Sequence, residues 1–432
     1  MLLRASFLTW LFLSFAGTGF AVIKVTVPDY FALAEEAMSR KDPTAALAAL
    51  DAAIKAKPND VRALLWRGRL RADRGAIDDA LEDLERAVRL APGNAEMLAA
   101  RGFVYQKKRE GDAAMADFDT ALRLDPANEL ALYCRGLLHG QRGDLRSAIG
   151  DLDGALAINP RNVAALQARG HVRMLREEWD AALTDFEGCI AIDRKDPVGY
   201  TGRAGAYFAK GDFQKAIDDY SEAARLLPGD SRPLTQRGYA RAALRKNEEA
   251  LADFEAALKL DPKDTVALLG RAELRRITKN LGEAVSDYTA VLAADPNDLR
   301  ALMGRAAVFY AQGETGKAIS DYAATIDHHQ DFAQGFNDYA WLLATGTSDG
   351  LRDGTKAVEL ACEACRLTEW KNGAYLDTLA AAYAEKGEFD SAIKWQTEAL
   401  AAATKEPEEV RAEMQTRVTL YQQKKPYREA AK

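Results

Sequence analysis

The chain has little proline, 13 residues in 432, and its 31 glycines are scattered, so no long Pro/Gly/Ser-rich linker divides it. Thr and Val are sparse over long stretches while alanine is abundant, which disfavours strands and favours helices. There is no basic excess: 58 Lys and Arg face 65 Asp and Glu, a formal net charge of −7. A nucleic-acid binder needs a basic surface, so that class is set aside. Nor is there a G-x-x-x-x-G-K-[ST], a G-x-S-x-G or an H-E-x-x-H motif, so the common signatures of phosphate, acyl and zinc chemistry are missing. Beyond the first two dozen residues no apolar run is long enough to span a bilayer. What remains is 48% hydrophobic, too apolar for a disordered chain.

The first 21 residues stand apart. Arg4 gives a positive start, Phe7 to Phe15 is almost wholly apolar, and Ala16 to Ala21 supplies small residues, with Gly19 and Ala21 at −3 and −1. The segment reads as a secretory signal peptide, residues 1–21, cleaved after Ala21. An uncleaved membrane anchor is the alternative. No Cys lies near residue 21, so a lipidated N-terminal Cys is not available. The expected location is therefore exported, periplasmic or secreted.

The rest is periodic. Pro58, Pro92, Pro126 and Pro160 lie 34 residues apart, as do Pro228, Pro262 and Pro296, with Arg194 at the skipped position. With that Pro as position 32, nine contiguous 34-residue repeats tile residues 27–332. Position 20 is Ala throughout: Ala46, Ala80, Ala114, Ala148, Ala182, Ala216, Ala250, Ala284 and Ala318. Position 8 is Gly or Ala, from Ala34 and Gly68 to Ala306, and position 24 is large and apolar, as in Leu84, Phe118, Phe186, Phe254 and Tyr288. Small residues at 8 and 20 let two helices approach, and the large residue at 24 fills the space beside them. Asp or Asn at position 34, from Asp60 to Asp298, suits the N-cap of the next helix. Pro at 32 ends the helix before it. Each repeat thus predicts helix A, a tight turn often carrying Gly75, Gly143, Gly211 or Gly313, and helix B.

These residues resemble the tetratricopeptide repeat family: small at 8, Gly at 15, Ala at 20, aromatic at 24, Pro at 32, over about nine tenths of the chain. The resemblance implies an all-α fold, a right-handed α-solenoid of about eleven helical hairpins with a C-terminal capping helix. A tenth repeat with a longer connector, Gly346 to Gly354, is expected over 333–372 and an eleventh over 373–406. Residues 407–432 read as a capping helix over 408–423, shielding the exposed apolar end, followed by a basic tail from Lys424.

Position 7 is usually apolar in the family. Here it is Arg in eight consecutive repeats: Arg67, Arg101, Arg135, Arg169, Arg203, Arg237, Arg271 and Arg305. Position 23 is Asp in the same eight: Asp83, Asp117, Asp151, Asp185, Asp219, Asp253, Asp287 and Asp321. Where one is missing so is the other: Leu33 with Ala49, Tyr339 with Leu360, and Leu379 with Trp395. The co-occurrence predicts a ladder of charge-assisted hydrogen bonds between helices A and B, within or between repeats.

The resemblance also assigns helix A positions 2, 5, 9, 12 and 13 to a concave groove. They include Phe103, Tyr133, Leu137, His171, Met174, Phe208, Tyr239, Tyr310 and Trp341, with Glu35, Arg69, Glu273 and Arg276 towards the ends. Large amphipathic side chains facing solvent mark a protein-binding surface; some of these can instead pack between repeats. The family's clamp for chaperone C-terminal carboxylates uses repeated Lys and Asn in the groove, and Lys107 alone fits. His139, His171 and His328-His329 read as surface, packing or turn residues, and Cys134 and Cys189 as small buried ones. Cys362 and Cys365, a mid-helix C-x-x-C, read as core packing, an intrahelical disulfide being the alternative and a catalytic role the remotest reading. No catalytic residue, cofactor or metal is expected. The expected function is a non-enzymatic adaptor that holds a protein or peptide partner in the groove, with an exported carrier of a small apolar ligand as the alternative.

Overall fold

The computed structural model describes residues 29–404 and 406–429. The signal segment, residues 1–21, lies outside the described residues, as do the first two residues of the repeat frame. The described residues form α-helices and one short 3-10 turn, with no strand among them. The chain divides into two compact bodies, one through Ala206 and one from Tyr207, the division falling inside helix Pro197–Ala209. Each body is a run of stacked helical hairpins, as in an α-solenoid.

In the N-terminal body the hairpins are Tyr30–Ser39 with Pro43–Ala56, Val61–Asp73 with Ile77–Leu90, Ala95–Lys107 with Gly111–Leu124, Glu129–Gln141 with Leu145–Ile158, and Val163–Leu175 with Trp179–Ile192. In the C-terminal body they are Arg232–Ala243 with Asn247–Leu260, Thr265–Ile277 with Leu281–Ala294, Leu299–Ala311 with Thr315–His328, Ala333–Thr345 with Gly354–Leu367, and Gly373–Lys386 with Phe389–Ala402. Helix Phe213–Leu226 precedes them and helix Glu408–Gln422 closes the stack against Phe389–Ala402. Within each body helix A packs on its own helix B and on helix B of the preceding repeat, and successive A helices lie side by side.

Local chemistry places these boundaries. Asp60, Asn94, Asn128, Asn162, Asp196, Asp230, Asp264 and Asp298 each accept from one or two backbone N–H groups at the start of the next helix A, satisfying donors that a helix leaves unpaired. The turn from A to B puts position 15 in the left-handed region. Gly75, Gly143, Gly211 and Gly313 take it with φ between 77 and 82°, where glycine has no Cβ to strain. Lys41, Arg109, Glu177, Arg245 and Lys279 occupy the same position with φ between 58 and 66°.

The core follows the small–large rule of the sequence. The position 20 alanines, Ala46 to Ala318, are fully buried. A Cβ added to Gly102 would lie 2.7 Å from the Phe118 ring, and one added to Gly170 or Gly238 would lie 2.8 Å from Phe186 or Phe254. Position 8 is small because the position 24 ring of the same hairpin already fills that space. The longer connector before Gly354–Leu367 is held by Arg352, which donates to the Gly346 carbonyl at 2.9 Å and to Glu385 at 3.0 Å.

Candidate functional site

The ladder is built within each hairpin. The Nε and Nη2 groups of Arg67, Arg101, Arg135, Arg169, Arg237, Arg271 and Arg305 fork onto the position 23 carboxylates of Asp83, Asp117, Asp151, Asp185, Asp253, Asp287 and Asp321, as in Arg101–Asp117 at 2.8 and 2.7 Å. Arg203 and Asp219 lie on either side of the division between the bodies, half-buried and buried. The carboxylates are buried, and the guanidinium groups keep only an edge to solvent. The third guanidinium nitrogen reaches backwards, to position 25 of the preceding repeat: Asp51, Asp119, Asp153, Ser221 and Thr289 take it from Arg67, Arg135, Arg169, Arg237 and Arg305. One side chain therefore ties helix A to two successive B helices. The hydrogen bond to Asp83 holds the Arg67 guanidinium above its usual basicity against the cost of burial, with Asp51 adding to it.

A second arginine was not visible in the sequence pattern. At position 11, Arg71, Arg173, Arg241 and Arg275 join the same carboxylates, at 2.7 Å in Arg71–Asp83 and Arg173–Asp185 and 2.6 Å in Arg241–Asp253 and Arg275–Asp287. Position 11 is aromatic in other repeats, and there Arg101 and Arg305 lie over Tyr105 and Phe309 instead. The signal was four arginines at one repeat position, diluted by Tyr and Phe. These networks bind helix to helix and offer no free cation row to a ligand.

The helix A face is the other candidate. In the N-terminal body Phe103, Tyr133, Leu137 and Met174 are half-buried and His171 is exposed. Lys107 sits 4.8 Å above the Phe103 ring. His171 meets the Phe186 ring edge-on at 5.2 Å, and its Nδ1 lies 2.7 Å from the Gln167 carbonyl. One turn on, Leu175 is 69% exposed, far more than folding asks of a leucine.

In the C-terminal body several members of the row are committed to the wall. Phe208 packs edge-on against Phe213 at 5.2 Å. Tyr239 packs against Phe254 at 5.1 Å and donates its hydroxyl to the Val266 carbonyl at 2.9 Å. Glu273 is paired with Arg276 and accepts the Tyr288 hydroxyl at 3.0 Å. Tyr310 and Trp341 correct the sequence reading, because they do not line an open trough. The chain's own C-terminal segment lies on them, so Lys424 onward is not a free basic tail over its described length. The Trp341 Nε1 donates to Glu429 at 2.9 Å, and the Tyr310 hydroxyl donates to the same carboxylate. The Glu429 N–H donates to the Thr345 carbonyl at 3.1 Å. Arg428 donates to the Ala344 carbonyl and pairs with Glu385 at 2.5 Å. Tyr427 leans on Trp341 at 5.9 Å, with the Arg417 guanidinium 5.2 Å above its ring. Arg417, from the capping helix, forks onto buried Asp377 at 2.9 Å through two nitrogens, and Gln396 donates to the same carboxylate.

The four cysteines are free thiols, and none carries a nucleophile's environment. Burial pushes Cys134, Cys189 and Cys365 up to about 12 and raises Cys362 as well.

A tetratricopeptide repeat family model matches residues 31–95, 77–129, 99–163, 235–298 and 278–331, more than half of the chain. No curated protein matches it. Among solved structures, the chain is similar to a tetratricopeptide repeat protein from Parabacteroides merdae, with 25% identity over 57% of this chain and 98% of that one, TM-score 0.42. It is also similar to Pseudomonas aeruginosa pilF, with 20% identity over 50% of this chain and 100% of that one, TM-score 0.45. Yeast Tom70 shares 15% identity over 91% of this chain and 95% of that one, TM-score 0.40.

Proposed function

Because the chain belongs to the tetratricopeptide repeat family, whose repeats generally serve protein–protein interaction, we propose that it is a non-enzymatic adaptor that holds an extended partner segment on its helix A face. The observation that carries this reading is the chain's own segment Tyr427 to Glu429, held on that face by ring contact, side-chain donors and a backbone hydrogen bond. A surface that grips one segment of its own through ring contacts, side-chain donors and a backbone hydrogen bond has the chemistry to grip another. In the N-terminal body the same face presents His171, Met174 and the exposed Leu175, an apolar strip with adjustable polar edges.

A photo-crosslinking residue at His171 in the native host is expected to trap a discrete protein partner, while the same residue at Glu82, exposed on a helix B, traps none. Equal trapping from both positions would overturn the reading. The adaptor acts after export, in the bacterial envelope, on the strength of the apolar, small-residue-terminated segment 1–21. A reporter fused after residue 30 is expected outside the cytoplasm; activity retained inside would remove this part of the proposal.

A further inference from the structure

The segment Tyr427-Arg428-Glu429 occupies helix A positions 9, 12 and 13 of three successive hairpins at once, through Trp341, Tyr310, Thr345 and Glu385. Its anchor is a carboxylate, and the donors that meet it from Tyr310 and Trp341 are an uncharged phenol and indole, two groups that apolar packing alone would not aim at one point. The Thr345 carbonyl fixes the backbone of the same residue, and Trp341 with Arg417 brackets the ring two residues before it. The contact set thus reads a spacing: an aromatic ring, one intervening residue, then an acidic side chain.

Resting on the helix A reading above, we propose that Tyr310 and Trp341 form a site for an aromatic-x-acidic segment of a partner protein, and that the chain's own Tyr427-Arg428-Glu429 is its resting occupant, which such a partner must displace. Tethering favours the internal segment, because a short linker holds it at an effective concentration near millimolar. Only a partner with further contacts along the face then gains entry, so the tail acts as a filter against weak acidic peptides.

The probe is this chain's own hexapeptide Lys424 to Glu429, amidated at its C-terminus, with a fluorophore on its N-terminal amine. Fluorescence anisotropy is measured against the full chain, against a chain ending at Gln423, and against the full-length Glu429→Gln variant. The truncated chain is expected to bind the peptide with a Kd of about 0.1 mM or below and so about tenfold more tightly than the full chain, whose tail competes at roughly millimolar effective concentration. A peptide carrying Gln in place of the Glu is expected to bind about tenfold more weakly, the loss of a hydrogen bond to a charged group. The Glu429→Gln chain keeps every other residue, so it carries the test if truncation unfolds the end; it is expected to admit the peptide several-fold better than the wild type. The proposal is overturned if neither altered chain binds the peptide, if the full chain binds it equally well, or if the Gln peptide binds as tightly as the Glu peptide. The assay involves no partner protein, so the two failures are told apart: loss of peptide binding removes the Tyr310–Trp341 site even where His171 traps a partner, and an untrapped His171 removes the adaptor reading even where the peptide binds.

Discussion

A position 23 carboxylate is buried between two helices and is met by one guanidinium in some hairpins and two in others. Removing it strands those cations in a site from which water is largely excluded, and the cost should scale with their number. Asp287 holds both Arg271 and Arg275, whereas Asp321 holds Arg305, whose neighbour at position 11 is Phe309. Asp287→Ala is therefore expected to destabilise the C-terminal body by about 3 kcal/mol or more, and Asp321→Ala by about 2 kcal/mol, a charge-assisted fork with an edge still wetted. Urea denaturation of the full chain would show the order, and equal losses would exclude the two-cation account. In the cycle with Arg271→Ala, the double variant is expected to lose at least about 1 kcal/mol less than the sum of the singles. The thiols make a second residue-scale case. A thiol near 12 is thiolate in roughly one molecule in 10⁴ at pH 8, so Cys134, Cys189 and Cys365 should resist maleimide until the fold opens. Pulse alkylation with and without urea checks this, and labelling of Cys365 in the native state would contradict it. At this scale the sequence disclosed the Arg–Asp pairs because both members recur together. It did not disclose their partners at position 25, where Asp51, Ser221 and Thr289 perform one task with different side chains.

One hairpin is defined by its cap, its turn and the residue that fits between its helices. The caps and the small–large contacts were legible because a specific side chain is needed: an Asx oxygen at position 34, and a missing Cβ where the Phe118 ring sits. The turns were legible only in part. Gly313 announces its left-handed backbone, but Lys279 adopts the same conformation with nothing in its chemistry to mark it. What imposes it is the closing hydrogen-bond pattern, in which the Asn280 N–H returns to the Arg275 carbonyl at 2.8 Å, as the Glu314 N–H returns to that of Phe309. The two positions should then respond differently. Gly313→Ala is expected to cost about 1 kcal/mol, the strain of an L residue with positive φ. Lys279→Gly relieves that strain but frees the unfolded chain, so it should be neutral or stabilising by less than about 1 kcal/mol. Thermal melts of both variants decide it, and a clear loss on Lys279→Gly would show that its side chain, not its backbone, holds the turn.

At the scale of the molecule, a stack of hairpins ends on a face with no successor, and here a single residue couples the closure of that face to the state of the groove. Arg417 belongs to the capping helix, yet its guanidinium serves buried Asp377 below and the rings of Trp341 and Tyr427 beside it. The sequence showed that a cap was needed but not that the residues after it would fold back, because the anchors Tyr310 and Trp341 lie 119 and 88 residues from Glu429. No local periodicity records a contact of that range. Arg417→Ala should leave the Asp377 charge buried with only Gln396 beside it, at a cost of about 3–5 kcal/mol to the end of the stack. Neutralising the carboxylate as well, in Arg417→Ala with Asp377→Asn, should recover at least about 1 kcal/mol, since an amide can still accept from Gln396 and leaves no unpaired charge. Both variants lose the cation that brackets Tyr427, so in both the tail should be cut by trypsin after Lys424 and Arg428 faster than in the wild type. Recovered stability with persistent tail release would separate the two tasks of Arg417. If the second substitution restored tail protection too, the segment would be held by the cap's stability alone, and the ring contacts would carry none of the coupling.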